Sequence, residues 1–221
     1  MLALVEGTDH SHDAASLGAR ARALDECSIL ATARNYFGNF ETNDPSLVSD
    51  YGATLPIVRR HVKTYLGRCV DLAHARGARG AEVNASIHFA AAAGNAWARA
   101  RLFAADWRDL PPGDFDSELT SLLASRDPEV FGVVADVMKW PHPDSRFGNV
   151  SGSDVEHWAW MLAACDLGKR CSANDALMRN LCLFGGLCGA YVDLRQFLRE
   201  SMSAPGEMDA IERQEQVILA F

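Results

Sequence analysis

Four of the six cysteines lie in the stretch CDLGKRCSANDALMRNLCLFGGLC, residues 165–188, where the pattern C-x-x-G-x-x-C is written twice. Thiolates can hold zinc, exchange with other disulfides or close a disulfide of their own, and spacing discriminates among these. Zinc sites favour about two to four residues between paired ligands, fewer than separate Cys165 from Cys171 or Cys182 from Cys188. No C-x-x-C redox pair is present. Free buried thiols would suit a reducing cytosol. The pattern itself favours disulfides. A glycine three residues after a cysteine near a helix end can take the left-handed cap and turn the chain back, so that the second cysteine returns beside the first. Gly168 would do this for Cys165–Cys171, and Gly185, helped by Gly186, for Cys182–Cys188. Cys27 and Cys69 remain, on apolar faces of consecutive helices, as a third pair. Cys165–Cys182 with Cys171–Cys188 is an alternative that spacing leaves open.

Other chemistry-bearing residues converge less. Asp9, His10, His12 and Asp13 in DHSHD could hold a metal, but they sit in an N-terminal stretch, 1–16, expected to be flexible. His157 lacks an H-E-x-x-H partner, and His61, His74 and His88 are isolated. There is no nucleophile elbow, phosphate-binding loop or dinucleotide fingerprint. The sequence therefore names no catalytic residue, metal ligand or cofactor. Its best binding candidate is the loop KWPHPDSRF and the helix after it, with Trp140, His142, Arg146, Phe147 and Trp160. Tryptophan, arginine and phenylalanine are typical interface anchors, and Pro141 and Pro143 restrict the loop. The competing reading makes these aromatics the seal between two helical hairpins. On spacing, Trp158 shares the face of Val155, Leu162 and Cys165 and belongs in the core, while Trp160 lies on a shallower face.

The elements that must carry these residues read as helical almost throughout. Helices are expected over 18–37, over 55–76, up to Ala93, and from the Asn95 cap to Trp107. After Pro111-Pro112-Gly113, the sharpest break in the chain, SELTSLLAS and DPEVFGVVADVMKW form a pair with Asp127 as cap and Pro128 at the first helical position. Ser153 with Glu156, and Ser172 with Asp175, mark two further starts. Final helices are expected near 190–202 and 206–220. The sum is one all-α domain over 1–221, antiparallel helical hairpins in a solenoid-like or compact bundle array, stapled by disulfides.

Three segments, AAAAGNAWARARLFA, LLASRDPEVFGVVADVM and MLAACDLGKRCSANDALMRN, each set a tight turn between two helices with small residues near the second start. In this the chain resembles the tetratricopeptide superfamily, in particular its alanine-rich SEL-type branch, over about 81–188. That resemblance implies a protein-binding helical repeat, and cysteine pairs that staple its hairpins.

The 221 residues carry a net charge of −8, which disfavours a nucleic-acid groove or an anionic membrane surface and suits solubility or a basic protein partner. No apolar run is long enough for a membrane span. Clustered cysteines point to the periplasm or the extracellular space. The start MLALVEGTDHSHD has no leader, as after removal of a signal peptide, with the cytoplasm as the alternative. Alanine richness and an arginine-over-lysine bias point to a bacterial source. The expected function is a non-enzymatic protein-binding module, such as an immunity or inhibitor protein for a basic effector or toxin. Two alternatives stand beside it. One is a helical hydrolase or lytic enzyme using an acidic residue near 140–157, Asp144 or Glu156; the other is a secreted effector that binds host proteins.

Overall fold

Apolar side chains recurring at helical spacing, broken by caps and glycines, produce ten α-helices and no strand among the described residues. The structure is a computed structural model and describes residues 13–41, 52–76, 80–185, 187–189, 191–201 and 204–221. Where the sequence suggests one domain, the contacts group into two compact units, Met1–Ala93 with Ser172–Val192 and Gly94–Cys171 with Asp193–Phe221. The chain leaves the first unit, completes most of the second and returns. Periodicity is local and carries no record of such a return.

The first unit contains α1 (Ala14–Glu41), α2 (Leu55–Arg76), α3 (Gly80–Ala92) and α8 (Ala176–Gly185). Helix α1 packs against α2 and α3, and α8 against α2. Helix α1 is longer than the apolar pattern suggested and begins inside the stretch expected to be flexible. Asp13 caps it, accepting from Ser16 N at 3.0 Å and from Ser16 Oγ at 2.8 Å. Asp13 thus has a structural task; Asp9, His10 and His12 of the same cluster lie outside the described residues. Cys27 and Cys69 are both buried and bonded, with Cα atoms 5.4 Å apart.

The second unit contains α4 (Ala96–Asp106), α5 (Pro112–Leu123), α6 (Pro128–Met138), α7 (Asp154–Asp166), α9 (Leu194–Ser201) and α10 (Glu207–Leu219). Helix α7 is central, packed on both α6 and α10. The caps expected at Asn95 and Asp127 form, accepting from Ala98 N and Glu129 N. Ser153 Oγ accepts from Val155 N at 3.1 Å, while the Glu156 carboxylate takes the Ser153 hydroxyl proton in hydrogen bond instead of reaching the backbone.

All six cysteines are paired, and the two short clips are Cys165–Cys171 and Cys182–Cys188. The alternative cross-pairing is excluded. The Gly168 turn forms as its spacing predicted: φ is +114°, Gly168 N–H donates to Cys165 O and Lys169 N–H to Ala164 O, the paired bonds of a left-handed helix stop. The second clip is different. Gly185 remains the last residue of α8 with no left-handed torsion, and Leu187 N–H closes the turn on Leu181 O. A glycine after a helix permits the reversal without requiring it.

Candidate functional site

The second unit presents one cleft whose residues match the binding candidate from sequence. It has a volume of about 170 Å³ and is lined by Trp107, Arg108, Phe115, Pro141, His142 and Asp144, among others. Helix α4 ends at Asp106 and a single 3-10 turn, Trp107–Asp109, presents Trp107 and Arg108. Pro112 starts α5 and points Phe115 inward. The third wall is the loop after α6.

That loop is pinned along its backbone. Ser145 N donates to His142 O, Gly148 N to Ser145 O, Val150 N to Phe147 O and Gly152 N to Met138 O, all at 3.0–3.1 Å. Asp116 on α5 grips its tip, accepting from Ser145 Oγ and, at 3.1 Å, from Arg146 N. A Cβ on Gly148 would stand 2.8 Å from the His142 carbonyl oxygen, so the turn closes only around glycine. Gly148→Ala is expected to cost about 1–3 kcal/mol through this overpacking, measured by urea unfolding followed through tryptophan fluorescence. A cost below ~0.5 kcal/mol would mean the loop is slack.

Within the cleft His142 is buried, stacked on Phe115 at 4.4 Å and edge-on to Trp107 at 4.7 Å. Its Nε2–H donates to Val137 O at 3.2 Å. Burial holds the imidazole below the ordinary histidine range, with the Val137 bond and Asp116 pulling partly the other way. The folded form is thus neutral at a pH where an unfolded histidine begins to protonate. Stability from this group is fully present above about pH 6.5 and is lost as pH falls through the window below it. His61 in the first unit has the same sign, for burial first and then for Arg179 and Arg60. An NMR titration placing His142 at or above about 6.5 would contradict this.

At the mouth, the Arg108 guanidinium lies 4.6 Å from the Trp107 ring centroid and 5.2 Å from that of Trp140, sandwiched between two indoles. Trp140 remains 48% exposed, and Arg108 and Arg146 face solvent. The other sequence candidates have other tasks. Phe147 is fully buried against Phe221, its ring centroid 5.2 Å away, and also supports Arg146, whose guanidinium is 4.7 Å from the ring. His142 is a wall and not a contact. Trp160 is a correction: it is 0% exposed, its Nε1–H donating to Val150 O at 2.8 Å, while Trp158 is the half-buried member of the pair. Single-face reasoning fails because α7 is covered on two sides, and residues 159–164 are all buried. Of the residues proposed for the hydrolase, Asp144 lines the cleft, whereas Glu156 accepts from the Ser153 hydroxyl at the start of its own helix. Among the described residues no group of three or more His, Cys, Asp or Glu could hold a metal, and no helix is long and apolar enough to cross a membrane.

Arg108 and Trp107 escaped the sequence reading, although an adjacent Trp-Arg separated by two residues from Pro111-Pro112-Gly113 was a signal. A charge cluster also escaped it. Arg195 on α9 forks onto Glu215 of α10 at 2.7 and 3.0 Å, meets Asp166 at 3.1 Å, and shares Glu212 with Arg199. The Glu215 side chain is 1% exposed. Burial pushes its carboxyl up and the Arg195 bonds oppose that. Arg195 is held above its usual range, mainly by the hydrogen bonds to Glu215. This cluster fastens three helices. No protein-family model, curated protein or solved structure matches the chain.

Proposed function

We propose that this is a non-enzymatic protein-binding module of an oxidising bacterial compartment, periplasmic or secreted, acting as an immunity or inhibitor protein on a basic effector. The observation that carries the reading is the Trp107–Arg108–Trp140 cluster, half-exposed where a 3-10 turn meets a loop whose backbone is already hydrogen-bonded in place. Tryptophan and arginine are the residues that most often dominate interface energies. A pre-ordered loop lowers the entropy lost on docking. The net charge of −8 favours a basic partner and fast, salt-sensitive association. Three disulfides with no free cysteine suit an oxidising compartment. The left-handed glycines Gly94 and Gly168, at turns behind the resemblance to SEL-type repeats, fit a hairpin scaffold of that kind.

The test replaces exposed Pro143, on the cleft lip, with a photoreactive phenylalanine analogue and irradiates cells of the native host. One basic protein should be captured, with the cross-link mapping to the loop, and Trp140→Ala should abolish the adduct. Scattered adducts, or an adduct unaffected by that change, would refute the reading.

A further inference from the structure

The first unit contains a separate cleft of about 370 Å³, lined by Ile57, Arg60 and His61 of α2, by Met178 of α8, and by Leu187 and Tyr191 beyond it. Its volume is within the range that takes small molecules. Arg179, fully buried, pairs with Glu26 at 3.0 Å and donates to Asn174 O at 3.4 Å. Arg60, exposed on the rim, has no salt bridge among the described residues. One guanidinium is therefore left for solvent or a ligand. Burial, with Arg179 and Arg60 both in electrostatic reach, helps keep the His61 ring uncharged. The nearest other carboxylate in sequence to this wall, Asp175, accepts from Ser172 N at 3.0 Å. The same lining includes apolar side chains, from Ile57, Met178 and Leu187. Cys182 also lines it, so the Cys182–Cys188 clip forms part of the wall.

We propose that this cleft binds a small organic anion, a carboxylate or phosphate ester with an apolar body. The acidic group pairs with Arg60 beside the His61 ring, and the body lies against Ile57, Met178 and Leu187. A purely inorganic ion would leave that apolar wall unused. A neutral apolar molecule would leave Arg60 unanswered.

The experiment uses the full chain and follows the His61 and Tyr191 ring resonances by NMR at neutral pH. The probes are phenyl phosphate, benzoate, inorganic phosphate and benzyl alcohol. Phenyl phosphate or benzoate should shift these resonances saturably, and which of them binds tighter identifies the ester or the carboxylate. Arg60→Ala should weaken that binding at least about tenfold, while Arg60→Lys retains part of it. Arg68→Ala, which removes an exposed charge from the same helix outside the cleft, should leave it unchanged. Circular dichroism on each variant checks folding. The proposal is overturned if neither organic anion shifts the rings, if benzyl alcohol or inorganic phosphate binds as well, or if Arg60→Ala binds like the wild type.

Discussion

Replacing Arg195 with alanine is expected to destabilise the second unit by about 3–5 kcal/mol, because it strands a buried carboxylate at Glu215. All five tryptophans lie in that unit, so their fluorescence in urea reports it selectively. The loss should depend on pH in a stated direction. Without its guanidinium Glu215 has a folded-state pKa pushed further above the unfolded value of about 4.3. A group raised in this way leaves the folded state holding more protons than the unfolded state, so stability falls as pH rises through the interval. The variant should therefore be closest to wild type in mild acid and furthest from it at neutral pH. Pairing Arg195→Met with Glu215→Leu removes both charges and should recover most of the loss. If Arg195→Ala costs less than ~1 kcal/mol, the cluster is a surface ornament and not a fastening.

Changing Cys27 and Cys69 together to alanine should remove about 4 kcal/mol from the first unit, from the entropy of a loop 42 residues in separation. Each short clip, with a separation of 6, should give only about 2–3 kcal/mol. The four tyrosines all fall in the first unit's residue range, and the tryptophans do not. Tyrosine near-UV signals should thus melt early in this variant while the tryptophan transition stays in place. A common shift of both signals would show that the two units unfold as one.

What could be read in advance was what neighbouring residues determine among themselves. Asn95 and Asp127 capped their helices, Pro128 took the first helical position, and Gly168 turned the chain to close Cys165 on Cys171. Helix α2 began and ended where its stripe did, at Leu55 and Arg76. Several of the failures involve partners far apart in sequence. Arg179 meets Glu26 across 153 positions, and Arg195 meets Glu215 across 20; neither pair leaves a local pattern. Trp160 was misplaced because spacing along one helix does not say how many neighbours surround it. Half of the candidate site was visible on similar terms. Trp140 and Arg146 are displayed by a proline-restricted loop, as composition suggested, but Phe147 and His142 turn inward because Phe221 and Phe115, from other parts of the chain, receive them.

The central claim is that the Trp140–Arg108 stack is a binding surface and not a seal. The decisive measurement is the affinity of the double variant Trp140→Ala/Arg108→Ala for the partner captured at position 143, taken together with its urea midpoint. Two truncated anchors at an interface should raise Kd at least about 30-fold, equivalent to ~2 kcal/mol. The tryptophan-reported unfolding midpoint should stay near that of the wild type, since Arg108 and Trp140 are exposed. An unchanged Kd, or a stability loss large enough to account for the weaker binding, would contradict the claim.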